Sequence, residues 1–172
     1  MSIVKVAVGL YTWVKGVEVN PSLKKKILCL DVGEKSIGAA ISDPSHTIAQ
    51  GICSIRFPTS SLEEKIKCVK ELVLSHEVGK IIIGMPLDLK GREGEQAKKI
   101  REFARIVEKA TGLPVIFLDE RFTTLVAEKL LKKGGLSIKK RKKLKDKVAA
   151  TILLQDYLNQ IKKEEDEKKE RR

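Results

Sequence analysis

Aromatic, histidine and cysteine side chains are scarce in this sequence of 172 residues. Phe, Trp and Tyr make up 4% of it, which argues against aromatic stacking as the main way of holding a planar ligand. The two histidines, His46 and His76, show no spacing that suggests a metal pair. The three cysteines, Cys29, Cys53 and Cys68, lack C-x-x-C spacing and have apolar neighbours. We therefore expect reduced, packed thiols, and neither a disulfide nor a zinc site.

Long apolar runs are missing as well. None approaches the roughly 20 residues that a bilayer-spanning helix needs, and the N-terminus lacks the pattern of a signal peptide. We therefore expect a cytoplasmic protein with no membrane partner. No G-x-S-x-G turn indicates a serine hydrolase. No glycine-rich phosphate loop with Lys and Ser or Thr is visible either, which disfavours an ATP-binding protein.

Positive charge is what the sequence has in excess. Its 35 Lys and Arg against 23 Asp and Glu give a net charge of +12. Such an excess favours a polyanionic partner, by general attraction and counterion release. The alternative is the charge-rich surface of a heat-tolerant protein. Because the charge is unbalanced, we favour nucleic acid as the partner.

The order of apolar runs and amphipathic segments predicts an α/β fold. Three strands come first, close enough to be antiparallel neighbours, and two later strands are separated by helices and should be parallel crossovers. The prediction is a mixed five-stranded sheet with helices on both faces. We expect this domain over residues 27–161. Residues 1–26 form an extension, either a hairpin of 3–10 with 17–19 or disordered, and 162–172 form a charged tail, either frayed helix or disordered.

Asp31 is the anomaly of the first sheet strand, because it follows the apolar run 27–30. A carboxylate in such a strand needs a hydrogen-bond partner or a cation, unless it only shapes the following turn. Asp119 and Glu120 follow the last strand in the same way. Ligands collect at the carboxyl ends of parallel strands. Side chains alternate along a strand, so at most one of Asp119 and Glu120 can share a site with Asp31.

Asp146 is a third candidate carboxylate, although it lies in a basic run. Seven of the nine residues from Lys139 to Lys147 are Lys or Arg. On helical spacing Asp146 shares a face with Ala149, Ala150 and Leu153, so it could be presented toward the sheet. The local sequence by itself favours a solvent-exposed, salt-bridging Asp. Three converging carboxylates would suit Mg²⁺ or Mn²⁺ and hydrolysis of a phosphodiester.

Several short segments of the chain form one ordered set between residues 27 and 158. They are 30–33 (LDVG), 37–38 (IG), 42–43 (SD), 83–87 (IGMPL) with Gly91, 119–124 (DERFTT) with Ala127, and Asp146 with 149–150 and 152–153. Taken together, these segments resemble the YqgF family, also called RuvX.

The resemblance implies an RNase H-like fold and a metal-dependent nuclease related to Holliday junction resolvases. It also implies the family's assigned role, maturation of the 5′ end of pre-16S ribosomal RNA, with the ribosomal particle as a partner. Asp31, Glu120 and Asp146 would be the catalytic, metal-binding carboxylates, with Mg²⁺ or Mn²⁺ as cofactor. Lys35 and Arg121 would face substrate phosphate. The basic stretch would add contacts to nucleic acid through Lys139, Lys140, Arg141, Lys142 and Lys143.

One departure from the family pattern concerns a phosphate contact. The family usually has a basic residue after Lys35, and this chain has Ser36. Two alternatives to an RNA endonuclease remain open on the sequence. One is a resolvase acting on junction DNA with the same carboxylates. The other is a non-catalytic nucleic-acid-binding protein in ribosome assembly or transcription, for which the basic stretch would suffice.

Overall fold

A computed structural model describes residues 7–8, 11–14, 17–19, 25–88, 90–121 and 123–171. The strands are β1 (Ala7–Val8), β2 (Tyr11–Val14), β3 (Val17–Val19), β4 (Lys26–Val32), β5 (Ser36–Ser42), β6 (Ala49–Arg56), β7 (Val78–Met85) and β8 (Val115–Asp119). The helices are α1 (Leu62–Ser75), α2 (Glu95–Thr111), α3 (Thr123–Lys133) and α4 (Ile138–Glu170).

The main sheet has five strands in the order β6-β5-β4-β7-β8. Strands β4, β5 and β6 pair antiparallel, whereas β7 and β8 pair parallel to β4 and to each other. The helices α1 and α2 supply the connections that parallel pairing requires. The predicted mixed sheet, with three antiparallel strands followed by parallel crossovers, is confirmed.

Each face of this sheet is covered by helices, because β4, β5 and β7 are apolar on both sides. On one face, which we call the α1–α2 face, the core includes Leu30, Ile83, Val69 and Phe103. On the other, the α4 face, the alternate strand residues pack on one side of α4. Helix α3 packs against α4. The two cores explain the near-continuous hydrophobic runs of the central strands.

The first strands form a small sheet of their own, in the order β1-β2-β3. Strand β3 pairs antiparallel with β2, whereas we expected it to pair with residues 3–10. Of that expected strand only Ala7 and Val8 are described, and they pair with β2 as well. The rest of the expected strand lies outside the described residues. The division of the chain into an extension, a domain and a tail stays a prediction.

Helix α4 continues far beyond the sheet. It runs for 33 residues and takes in most of the charged tail, so the helical alternative for residues 162–170 is the observed one. Its last apolar contact with the core is at Ile161. In the part of the chain that the structure describes, no helix combines the length and the apolar character needed to cross a membrane.

Candidate active site

Asp31 lies on the α4 face of β4, close to the strand's carboxyl end. Alternation along the strand puts Ile27 and Cys29 in the core beneath α4, and Asp31 follows them at the same spacing. Its partner across the antiparallel pair is Gly38 of β5. The Asp31 side chain is therefore at the edge of the apolar core beneath α4, where it is partly buried.

Gly38 allows the helix that carries Asp146 to approach this point. A Cβ atom at position 38 would overlap the backbone carbonyl of Asp146 and crowd the amide of Lys147. Only glycine permits such an approach of helix backbone to strand. Because Gly38 is the partner of Asp31, the approach brings Asp146 beside Asp31. Asp146 therefore lies at the sheet and is not an exposed, salt-bridging Asp.

Gly84 makes the corresponding space for Glu120. A Cβ atom at position 84 would overlap the Oε2 atom of the Glu120 carboxylate. Glu120 follows β8 directly, and its amide donates to the carbonyl of Met85 at 3.3 Å. It points to the same face as Leu118, which packs beneath α4. Sequence-based reasoning left open which acidic residue after β8 reaches the site, and the geometry assigns Glu120.

Asp119 points away from this face. It is exposed, and its Oδ2 atom accepts a hydrogen bond from the Nε atom of Arg121 at 2.7 Å. The Arg121 guanidinium, through that hydrogen bond, holds the pKa of Asp119 below its usual value. Asp119 is thus an ion-paired surface carboxylate.

The three carboxylates line one open cavity of about 580 Å³, and cationic side chains line it with them. The carboxylates are Asp31, Glu120 and Asp146. A fourth acidic residue, Glu128, comes from α3. The cations come from β6, α3 and the basic run of α4, and they are Arg56, Lys132, Arg141, Lys142 and Lys145. A cavity lined by both carboxylates and cationic side chains suits a phosphate that contacts a bound cation.

Burial strongly affects the charges of the carboxylates. It is the main reason why the pKa of Asp31 is raised from 3.8 to about 7, and the charges of Glu120 and Asp146 raise it further. Lys145 acts against this shift. Burial likewise raises the pKa of Glu120 to about 6, with Asp119 adding to the effect. Crowding of buried carboxylates is unfavourable in itself.

The donor set fits a hard divalent cation. Among the described residues, no hydrogen bond or ion pair reaches the carboxylates of Asp31, Glu120 or Asp146. Buried carboxylates left in this state either take up a proton or bind a cation. In the same described part of the chain, no three acidic, His or Cys side chains close onto a single metal position. The carboxylates surround a space, which suits ions that keep several waters, such as Mg²⁺.

The predicted nucleic-acid contacts divide into three groups by their distance from the cavity. Arg141 and Lys142 line the cavity. Lys35 is exposed in the turn between β4 and β5, and its neighbours Gly33 and Ser36 line the cavity. The others, Arg121, Lys139, Lys140 and Lys143, are not among its lining residues.

Sequence-based reasoning missed several residues of the cavity. Lys145 lies in the basic run beside Asp146, and its Nζ atom is 3.5 Å from the Oε1 atom of Glu128. Arg56 ends β6, and its Nη2 atom donates to the carbonyl of Lys142 at 3.3 Å. The position of Lys145 one residue before a candidate ligand could have indicated it. For Arg56 and Glu128 no local pattern existed, because the α4 packing brings them to the cavity.

Two solved structures with the same architecture are complexes with Holliday junctions. Thermus thermophilus RuvC in complex with a Holliday junction substrate aligns with a TM-score of 0.51 and 15% identity, over 77% of this chain and 93% of that chain. The Fowlpox virus resolvase in complex with Holliday junction DNA aligns with a TM-score of 0.51 and 15% identity, over 79% and 98%. The fold is therefore the RNase H-like fold of the resolvases.

The sequence comparison identifies the family within this class. The family model described as RuvX, Holliday junction resolvase, matches residues 25–160. A relative from Caldanaerobacter subterraneus subsp. tengcongensis is 47% identical over 78% of this chain and 96% of its own length. A relative from Clostridium acetobutylicum is 46% identical over 79% and 99%. Both bear the name "Putative pre-16S rRNA nuclease". This chain belongs to the RuvX family, a family of nucleases.

Proposed function

We propose that this protein is a metal-dependent endonuclease that hydrolyses phosphodiesters in structured RNA, and that its task is maturation of the 5′ end of pre-16S rRNA. The observation that carries the proposal is the convergence of three carboxylates, Asp31, Glu120 and Asp146, in a cavity that cationic side chains also line. The names of the curated relatives support the substrate. The site of action would be the cytoplasm, on the precursor or on a ribosomal particle that contains it.

In this proposal Asp31, Glu120 and Asp146 hold Mg²⁺ or Mn²⁺. Such ions, when bound, activate a water molecule and stabilise the oxygen that leaves the phosphorus atom. The chain's own cations bind and orient the substrate. Arg141 and Lys142 are within the cavity wall, where they would neutralise the phosphates on either side of the bond to be cut.

Arg121 has a different part in the proposal from the residues of the cavity wall. Its guanidinium is paired with Asp119, so it would meet substrate only at the rim, beside the loop that contains Gly91. Lys35 would meet phosphate from the turn after β4. Lys139, Lys140 and Lys143 are exposed on α4. They would extend the contact along the nucleic-acid backbone without contributing to the hydrolysis.

Residues 27–161 would be the catalytic unit, with residues 1–26 and 162–172 as appendages. All the carboxylates and cations of the cavity come from within this range, and so does the region matched by the family model apart from its first two residues. Deletion of residues 163–172 is expected to leave the cleavage rate within about twofold, because α4 makes its last core contact at Ile161. A large loss of cleavage per folded molecule would place part of the active site in the tail.

A test of the function uses a 5′-extended 16S rRNA precursor, free and within the small ribosomal particle. We expect cleavage with Mg²⁺ or Mn²⁺, none with EDTA, and none by Asp146→Asn. The matched control is Asp156→Asn, an exposed carboxylate on the same helix, which should cut like the wild type. Full activity of Asp146→Asn, or equal loss in both variants, would contradict the assignment of the site.

A DNA junction is the second candidate substrate. The description of the family model and the junction DNA bound by two structural neighbours favour it, and phosphodiester hydrolysis needs the same carboxylates. Cleavage of a four-way DNA junction and of the rRNA precursor should be measured side by side under the same salt conditions. A junction rate that exceeds the precursor rate would make the DNA substrate the better proposal. Salt-sensitive binding of both without any cleavage would leave the non-catalytic alternative.

A further inference from the structure

A buried lysine of α1 forms hydrogen bonds with the turn between β4 and β5. Lys65 of α1 is only 7% exposed. Its Nζ atom donates to the backbone carbonyl of Gly33 at 2.9 Å and to that of Glu34 at 2.6 Å. Both carbonyls belong to the turn that follows Asp31. One ammonium group therefore fixes two successive peptide groups beside the active-site cavity.

Lys65 is buried at a position of α1 that faces the core. It occurs on the side of α1 that also presents Val69 to the core, where an apolar side chain would ordinarily lie. Burial lowers the pKa of the Lys65 ammonium, and the nearby Glu34 partly opposes that effect. Lysines are almost never buried unless they are paired. Core packing therefore does not explain a lysine at this position. The hydrogen bonds to the two backbone carbonyls do explain it.

The turn that Lys65 holds carries two groups of the site. Gly33 and Ser36 line the cavity, and their backbones are joined by a hydrogen bond of 2.9 Å from the Gly33 amide to the Ser36 carbonyl. The carbonyl of Lys35 accepts a hydrogen bond from the amide of Phe57, also at 2.9 Å. The Lys35 side chain is exposed at the tip. Three sets of hydrogen bonds therefore fix the turn: those from Lys65, the one within the turn, and the one from Phe57. The tip of the turn is exposed.

We propose that Lys65 is a positioning residue, which fixes the turn so that Lys35 is presented to a substrate phosphate beside the cavity. This inference rests on the proposed function, because Lys35 has a role only if a nucleic acid binds. Preorganisation lowers the entropy that must be lost when a contact forms. A loosened turn would leave the Lys35 side chain exposed, but the backbone that carries it would no longer be fixed relative to the cavity.

A double-mutant cycle between Lys65 and Lys35 tests the inference. The variants are Lys65→Met, Lys35→Ala and the double variant, and the measurement is the Kd for precursor RNA in EDTA, as a function of salt. We expect Lys35→Ala to weaken binding about fivefold and to lower the salt slope by about one unit. In the Lys65→Met background the same change should cost less than about twofold, because the contact is already lost.

A matched control separates positioning from stability. Val69→Ala removes a fully buried side chain one helical turn further along α1, and it destabilises the fold without touching the turn. Measured well below the melting temperature, Val69→Ala should leave both the Lys35→Ala effect and the salt slope unchanged. Lys65→Arg keeps a cationic donor at this position and should restore part of the coupling. If Lys65→Met does not fold, Lys65→Gln replaces it, since its shorter amide cannot hold both carbonyls.

Two outcomes would overturn the inference, and they have different consequences. If Lys35→Ala costs the same in the Lys65→Met or Lys65→Gln background as in the wild type, Lys65 does not act through the turn. If Lys35→Ala costs nothing in the wild type, the phosphate contact itself is refuted and the inference falls with it. Metal-dependent cleavage by the wild type would still support the proposed nuclease in either case.

Discussion

Two aspartates in the β4–β5 hairpin have opposite surroundings. Asp43 follows β5, and its carboxylate accepts hydrogen bonds from the amides of Thr47 and Ile48 at 2.7 Å each, as well as from Ser45. These hydrogen bonds lower its pKa to about 2. Asp31, on the neighbouring strand, has no such partner within the described residues, and its pKa is raised to about 7. Asp43 stabilises a loop, whereas Asp31 lines the cavity and is, in our proposal, a ligand of a bound cation.

The sequence predicts Asp31 as a site residue, but it does not show the physical difference between the two aspartates. Both follow an apolar run and precede a turn, and both belong to the segments that resemble the RuvX family. What separates them is whether the next residues can donate backbone hydrogen bonds. The loop after Asp43 folds back on it, whereas the turn after Asp31 donates to its own carbonyls and to none of the Asp31 oxygens.

The largest expected effect is on catalysis. Asp31→Asn should lower the cleavage rate on the order of 10³-fold, because a neutral amide is a poor ligand for a hard cation. The three carboxylates act as one unit, so replacing one of them removes most of their joint effect. Asp43→Asn should keep the wild-type rate at temperatures where it is folded. The measurement is single-turnover cleavage of the rRNA precursor, with folded protein quantified by circular dichroism. If both variants lost a comparable part of the cleavage rate, the assignment of Asp31, and not Asp43, to the active site would be wrong.

The next effect concerns the two glycines that make room for the site. Gly38→Ala should reduce the free energy of unfolding by about 3 kcal/mol, because the new methyl group meets helix backbone that cannot move alone. Gly84→Ala meets a flexible carboxylate, that of Glu120, so its stability cost should be smaller. Its cleavage rate should nevertheless fall steeply, since Glu120 is displaced. Urea unfolding and cleavage assays on both variants measure the two quantities.

Those glycines also mark the limit of what could be predicted from the sequence. The strand order and the carboxylates Asp31, Glu120 and Asp146 were predictable from apolar runs, residue spacing and the family resemblance. The choice of Glu120 over Asp119 came from the resemblance alone, because strand alternation does not show which face of β8 meets α4. Arg56, Glu128 and Lys65 carried no local signal of a site. Their roles arise from contacts between elements distant in the chain, which a single sequence does not display.

The third prediction uses the pH dependence of stability. Because the native state keeps the Asp31 proton up to about pH 7, while the unfolded chain loses it near pH 4, unfolding releases a proton in this window. Stability should therefore fall as pH rises from 4 to 7, by about 2 kcal/mol after allowance for water in the cavity. Asp31→Asn should remove most of this dependence and leave the smaller part that comes from Glu120, whose pKa is raised to about 6.

Asp43 should change the stability in the opposite direction with pH. Its lowered pKa means that its contribution is present above pH 4 and is lost as the pH falls toward 2. Asp43→Asn should therefore flatten the acid limb only. Urea unfolding at closely spaced pH values, without divalent metal, measures both limbs. If Asp31→Asn changed the acid limb and left the neutral one intact, the assignment of the raised pKa to Asp31 would be wrong.

The smallest effect is stabilisation by the metal itself. At pH 8, above the raised pKa values of Asp31 and Glu120, these two carboxylates are ionised and repel each other. Mg²⁺ at ten times its Kd should therefore add about 1.4 kcal/mol to the free energy of unfolding. For a domain of this size that corresponds to roughly 3–5 °C in Tm. Asp31→Asn should lose this shift, and Asp43→Asn should keep it, because Asp43 already has its hydrogen bonds from the chain. A shift of equal size in both variants would mean that Mg²⁺ binds elsewhere, and the unpaired carboxylates would then need another explanation.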